Sequence, residues 1–197
     1  KIFADSAGVG ATSKIMMGAR DAKGRTTNEN AAKEPEIIDI ATMLNKMGAH
    51  IRGVGTSVIT IDGVDKLMGC FHEIIPDRIE AATYVVLAAA AADEMVVENI
   101  IPQHLDALLM KLDEIGIDLE VDVDRVIVKG MKDTLKGTAI KTKPYPGFAT
   151  DMQQPLTTLL TQAQGQSIIT ETIYPERFKH CGELKTMGAN MDGMVTS

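Results

Sequence analysis

The 197-residue sequence has two cysteines, no excess of basic residues and no apolar run long enough for a bilayer, and each shortage excludes something. Cys70 and Cys181 lie far apart, outside any CxxC or Cys/His ligand spacing, so neither a disulfide framework nor a zinc site is expected. His50, His72, His104 and His180 likewise show no metal spacing. With 20 Lys+Arg against 27 Asp+Glu, the net charge of −7 argues against a nonspecific binder of polyanions, and nucleic acid is not an expected partner. The longest apolar stretch, Tyr84 to Ala92, is about half of the roughly 20 residues a membrane span needs, so it reads as a buried helix and no membrane partner is expected. No basic region followed by an apolar core opens the chain. The expected compartment is a reducing cytoplasm.

What the chain does have is an internal repeat. Three segments share one pattern: Asn30 to Ala49, Asn99 to Gly116 and Thr172 to Ala189, at a spacing of roughly 70 residues, longer than common solenoid repeats. In each, a proline (Pro35, Pro102, Pro175) precedes apolar residues at helical spacing and a glycine (Gly48, Gly116, Gly188) ends the run, which is the usual punctuation of a helix. Before each helix lies a short strand-like run, Thr26 to Glu29, Met95 to Glu98 and Ser167 to Thr170, and before that a first helix over about Ala11 to Ala22, Ile79 to Ala92 and Met152 to Ala163. In the first two copies a strand pair follows, His50 to Arg52 with Val58 to Ile61, and Asp118 to Val121 with Arg125 to Val128. The unit reads helix, strand, helix, strand, strand, a pattern in which two helices cover one sheet face. The third copy stops within Asn190 to Ser197, where one short strand is expected to begin, and Lys1-Ile2-Phe3 is no initiator sequence; the native protein is expected to continue past both ends.

The segments leading into the first helices are equivalent in the repeat but differ chemically: Gly8-Val-Gly-Ala-Thr12, Ile75-Pro-Asp-Arg78 and Phe148-Ala-Thr-Asp151. A helix N-terminus offers unpaired N–H groups and attracts anions. Gly8 and Gly10 would admit a phosphate close to the backbone, with Thr12 or Ser13 to cap or donate, although a plain turn has the same spelling and the P-loop spacing is absent. Asp151 has two readings, a helix N-cap and a general base held ionised at a helix start. Arg78 and Arg177 stand nearest the repeated junctions and could grip a phosphate or carboxylate, or serve in surface ion pairs. Glu34 and Glu36 suit a helix first turn, Met16, Met17, Met43 and Met47 read as core filling, and neither cysteine has a base beside it in the sequence reading.

The strings Gly10-Ala-Thr12, Glu29 to Ile37, Met47 to Ile51, Pro76 to Glu80, Thr150-Asp-Met-Gln153 and Ile169 to Thr172 with Arg177-Phe178 run in order along the chain and resemble the UDP-N-acetylglucosamine 1-carboxyvinyltransferases, of the enolpyruvyl transferase family. The resemblance implies an α/β fold of two domains, each an inside-out α/β barrel of three repeated units, with the active site in the cleft between them. It places 1–75 in the end of one domain and 76–197 in most of two units of the other, joined by hinge strands near Phe71 to Pro76. Transfer of enolpyruvyl from phosphoenolpyruvate to the 3-hydroxyl of UDP-N-acetylglucosamine, by addition and elimination in peptidoglycan synthesis, is the activity implied, with no metal or organic cofactor and a monomeric state. By position, Asp151 matches the aspartate that takes the hydroxyl proton. Ser6, Ala7, Gly8 and Val9 match the loop holding the diphosphate, which continues through Gly10 and Thr12; Ile173 matches an apolar contact to the nucleotide sugar and Arg177 an active-site arginine. Ser6 stands where many relatives have lysine, and the family's loop cysteine lies upstream of Lys1, matched by neither Cys70 nor Cys181. The segment alone is therefore expected to be inactive. The alternatives are a 5-enolpyruvylshikimate-3-phosphate synthase and a noncatalytic nucleotide-sugar-binding fragment.

Overall fold

A computed structural model describes residues 1–5 and 7–193. The chain divides into two compact units, Lys1–Ile75 with Pro144–Pro146, and Pro76–Lys143 with Gly147–Ser197. Unit 1 runs β1 (Ile2–Phe3), α1 (Val9–Ala19), β2 (Arg25–Glu29), α2 (Pro35–Lys46), β3 (His50–Arg52) and β4 (Val58–Asp62). Its sheet has the order β1-β2-β4-β3, with β1 parallel to β2 and the other pairs antiparallel. Ile37, Ala41 and Leu44 line one face of α2 at helical spacing and meet Met16 of α1 and Ile51, Ile59 and Ile61 of the sheet in one core. Burial of an aliphatic side chain of this size stabilises by ~1.5–3 kcal/mol.

Unit 2 holds the other two copies: α3 (Arg78–Ala91), β5 (Met95–Glu98), α4 (Asp106–Ile115), β6 (Ile117–Val121) and β7 (Arg125–Met131), then β8 (Ala139–Lys141), α5 (Gln153–Leu160), β9 (Ile168–Thr170) and α6 (Lys179–Thr186). The strands form an antiparallel sheet β5-β7-β6 and a parallel pair β8-β9. Val85 and Ala88 of α3, Leu108, Leu112 and Ile115 of α4, Ile117, Val126 and Val128 of the sheet and Leu156 of α5 share one core. The fold is mixed α/β, as expected; among the described residues its strands lie in separate sheets rather than a closed barrel. No helix of the described residues is long and apolar enough to cross a membrane.

The repeat is visible in the backbone itself. Gly48, Gly116 and Gly188, each following the second helix of its copy, all have φ near the left-handed region, at 104°, 102° and 101°, where only glycine is unstrained. Asn30 and Asn99, one residue past β2 and β5, both have φ 57°. Several boundaries differ from the sequence expectation. The strands β1 and β8 were not predicted, because two or three residues carry no alternation. The first α-helix begins at Val9 rather than Ala11, while the third copy's first helix is shorter than expected, a 3₁₀ turn over Thr150–Met152 followed by α5. Pro175 does not start a helix: Arg177 N donates to the Tyr174 carbonyl in a separate turn, and α6 begins only at Lys179. The expected hinge strands near Phe71 to Pro76 are absent, and that segment has no regular structure; within unit 1 it is held by His72, whose Nε2 lies 3.0 Å from Asp39 Oδ1 with both side chains largely buried. The strand expected within Asn190 to Ser197 is not seen over 190–193, and 194–197 lie outside the described residues.

Candidate active site

In unit 1, Ala7, Gly8, Val9 and Gly10 lead into α1; Ser6 lies outside the described residues. Gly8 is the N-cap, in extended backbone, and its carbonyl accepts from Thr12 N at 3.0 Å. Among the described residues no side chain caps the helix, so none of them takes its first N–H groups, which suit water or an anion. A Cβ built on Gly10 would meet nothing within 4 Å, so the space above that turn is open. The expectation that Thr12 or Ser13 caps this helix is corrected. Thr12 is buried, and its Oγ1 accepts from Ala32 N at 3.0 Å, which ties α1 to the loop after β2. Ser13 Oγ donates back to the Val9 carbonyl at 2.9 Å. Both sit a full turn inside the helix, too far along to reach its end.

Asp151, Ile173 and Arg177 all belong to unit 2, where the structure pairs Asp151 with Arg177 and ties the Ile173 backbone to the neighbouring Glu171. Asp151 sits in the 3₁₀ turn before α5, but neither that turn nor α5 has a side-chain cap, so the N-cap reading of Asp151 fails. The capping aspartate is Asp77 in the preceding copy, whose Oδ1 accepts from Ile79 N at 2.7 Å and Glu80 N at 3.3 Å. Asp151 instead faces Arg177, with Nη1 to Oδ1 at 2.6 Å and 48% of the aspartate side chain still exposed. A pair this open contributes at most ~1 kcal/mol to stability, so its consequence is geometric: it sets where a reachable carboxylate sits. The same Nη1 donates to Thr150 Oγ1 at 3.0 Å, and the guanidinium carbon stands 5.0 Å from the centre of the Tyr174 ring.

Behind this pair is Glu171, which the sequence reading passed over. Its Oε1 accepts from Thr142 Oγ1 at 2.7 Å, Ile173 N at 2.7 Å and Tyr174 N at 3.1 Å, and its Oε2 accepts from Thr150 Oγ1 at 2.8 Å. Burial alone would raise its pKa and is the largest single influence, but the bonds from Thr142, Ile173, Tyr174 and Thr150 together outweigh it and hold the carboxyl below its ordinary range. A carboxylate whose folded value is depressed stabilises the fold above its unfolded value, ~4.3 for glutamate, and loses that contribution as pH falls through the folded value. Glu171→Gln is therefore expected to melt below the parent at neutral pH, with the gap closing as the solution is acidified below pH ~4. Thermal unfolding across pH checks this, and a gap independent of pH contradicts it.

Gln154, Tyr174, Glu176, Arg177, Lys179 and His180 line an open concavity of about 440 Å³ on the same unit. Contrary to the sequence reading, Cys181 does have a base beside it, with Sγ 3.7 Å from His180 Nε2. Burial pushes the Cys181 thiol up and the His180 imidazole down, the opposite of what a thiolate–imidazolium nucleophile requires. Among the described residues no three His, Cys, Asp or Glu side chains are grouped to hold a metal ion.

The family model described as EPSP synthase (3-phosphoshikimate 1-carboxyvinyltransferase) matches residues 1–194. Over 191 residues the chain is 58% identical to UDP-N-acetylglucosamine 1-carboxyvinyltransferase 2 of Geobacillus kaustophilus (strain HTA426) and 54% identical to the protein of the same name from Bacillus subtilis (strain 168); each alignment covers 97% of this chain and 44% of the relative. The chain thus spans less than half the length of these relatives. Among solved structures, it is similar to the enolpyruvyl transferase NikO from Streptomyces tendae, with a TM-score of 0.84 at 24% identity, covering 95% of this chain and 45% of NikO. It is also similar to EPSP synthase from Acinetobacter baumannii, with a TM-score of 0.70 at 23% identity, covering 95% of this chain and 44% of that one. At those identities the likeness is one of fold.

Proposed function

This chain belongs to the EPSP synthase (3-phosphoshikimate 1-carboxyvinyltransferase) family, and from that premise we propose that its protein transfers the enolpyruvyl group of phosphoenolpyruvate to the 3-hydroxyl of UDP-N-acetylglucosamine, in the cytoplasm and in the service of peptidoglycan synthesis. The observation that carries the proposal is the half-exposed Asp151 carboxylate held on Arg177, within a chain 54–58% identical to proteins named for that reaction.

In the proposed reaction Asp151 accepts the proton of the sugar 3-hydroxyl as its oxygen bonds to C2 of phosphoenolpyruvate, while C3 takes up a proton to give a tetrahedral intermediate. Loss of a proton from C3 then re-forms the double bond as the C2–O bond to phosphate breaks, and the products are the enolpyruvyl ether and phosphate. Arg177 supplies a cation beside the reacting centre and fixes the base, the kind of preorganised charge that costs no reorganisation during reaction. Ile173 offers apolar surface to the nucleotide sugar. The uncapped start of α1, with Ser6, Ala7, Gly8, Val9 and Gly10, receives the diphosphate on backbone N–H groups, and the buried Thr12 braces that loop from behind. Placing the anion on helix N–H groups is compatible with a chain of net charge −7, since the field at such a terminus is local.

The test is phosphate release from phosphoenolpyruvate by the full-length polypeptide. Release is expected with UDP-N-acetylglucosamine as acceptor and not with shikimate 3-phosphate. Release with shikimate 3-phosphate instead would transfer the assignment to the other branch of the family, and release with neither would leave a binding protein.

A further inference from the structure

We infer that Glu171 is a positioning residue of this site, which acts through the Thr150 hydroxyl on Arg177 and through Arg177 on the Asp151 carboxylate. The inference rests on the reading of Asp151 as the base and adds a group that does not itself touch substrate.

The repeat isolates what is unusual about Glu171. The same place is held by Glu29 at the end of β2 and by Glu98 at the end of β5. Glu29 reaches Lys1 in a surface ion pair of 2.8 Å, and Glu98 is exposed opposite Arg125. Only in the third copy does the carboxylate turn inward and collect donors from β8 (through Thr142, just beyond it), from the turn at Ile173 and Tyr174, and from Thr150. The bonds made by Oε1 serve the local fold and explain the shape of that turn. The bond made by Oε2 goes to Thr150, which adjoins Asp151.

The direction of that bond matters. A threonine hydroxyl has one proton and two lone pairs, and an ionised carboxylate can only accept. With its proton committed to Glu171, Thr150 Oγ1 must present lone pairs to Arg177, and Arg177 Nη1 does donate to it at 3.0 Å. The same nitrogen meets Asp151 Oδ1 at 2.6 Å, so Thr150 and Asp151 together fix one guanidinium nitrogen from two sides. An amide at position 171 has an NH₂ that can donate to Thr150. The hydroxyl then loses the acceptor that fixed its rotation and spends a lone pair on the amide, so the lone pair that holds Arg177 Nη1 is no longer kept in place, and Arg177 and then Asp151 are released from their places.

The experiment uses the full-length polypeptide and rests first on Glu171→Gln, Thr150→Val and the two combined. Misplacement of a catalytic group by about 1 Å costs on the order of 100-fold. Glu171→Gln and Thr150→Val are each expected to lower kcat by about that factor, with KM for the nucleotide sugar held within about threefold. The combined variant is expected to be no worse than the poorer single one, because both break the same chain of contacts. Glu171→Asp, which keeps the acceptor, is expected to recover part of the loss. Parent kcat in Glu171→Gln, or losses that multiply in the combined variant, overturns the positioning role. If Glu171→Gln does not fold, Thr150→Val leaves the glutamate and its turn in place, and parent kcat there overturns the role equally. Asp151→Asn separates the two levels: an inactive Asp151→Asn beside a fully active Glu171→Gln removes the positioning role alone, whereas an active Asp151→Asn removes both.

Discussion

Asp151→Asn in the full-length polypeptide is expected to lower kcat by ~10²–10⁴-fold, the contribution of a positioned general base, while leaving the affinity for UDP-N-acetylglucosamine nearly unchanged. The substitution is close to isosteric, and an asparagine oxygen can still accept from Arg177 Nη1 at the 2.6 Å position, so the local geometry has reason to persist. On the proposed mechanism, what is lost is the proton acceptor. The parent ion pair leaves 30% of the arginine and 48% of the aspartate side chain exposed, and a pair of that kind is worth no more than ~1 kcal/mol, so a turnover loss of this size cannot be an unfolding effect. Single-turnover product formation measured beside calorimetric titration with the nucleotide sugar checks both halves. Near-normal turnover would sink the assignment of Asp151 as base, and lost binding would make it a substrate anchor instead.

Local signals carried most of the fold. The run from Pro35 to Gly48 has its start, its apolar stripe and its stop within one short window, and α2 follows it from Pro35 to Lys46. The same grammar located α4 and its left-handed Gly116. It misled at Pro175, because the N–H groups of Ile173 and Tyr174 are taken by the side chain of Glu171, so the chain turns once before a helix can begin. A clue lay in the repeat: Asn30 and Asn99 follow the first two glutamates with φ 57°, a conformation asparagine tolerates, whereas Thr172, β-branched, stands in that place in the third copy. The turn there had to be built another way, and an inward glutamate builds it. The site was legible only in part. Asp151 and Arg177 could be singled out one at a time, but 25 residues lie between them, and spacing alone favoured a helix cap over a general base for Asp151 and gave no sign of the ion pair that exists. The strands β1 and β8 are parallel partners of β2 and β9, each pair separated by a helix, and no local pattern encodes such a pairing.

Gly63→Ala is expected to cost the protein roughly 1–3 kcal/mol or more, and its comparison with Gly18→Ala shows why glycines cannot be ranked from sequence. A Cβ on Gly63 would be driven into the backbone carbonyl of Ala22, with the Gly24 carbonyl oxygen 3.5 Å away. Neither neighbour is a flexible side-chain end. The two strands of chain are also laced together, Gly63 N donating to Gly24 O at 3.0 Å and Val64 N to Arg20 O at 2.8 Å, so relief of the clash breaks backbone hydrogen bonds as well. Gly18 lies inside α1 with nothing within 4 Å of its Cβ position, and there alanine is expected to gain ~0.5–1 kcal/mol from helix propensity. Denaturant unfolding of the two variants measures the difference in sign, and a Gly63→Ala protein as stable as the parent would contradict the packing of residues 20–24 against 63–64. The comparison also bears on the proposed diphosphate loop. The Arg20 carbonyl tied by Val64 is the C-cap of α1, and Gly8 begins the same helix. Loosening one end of a rigid element is expected to misplace the other, so Gly63→Ala should weaken uridine-nucleotide binding even at temperatures where it remains folded, and Gly18→Ala should leave it intact.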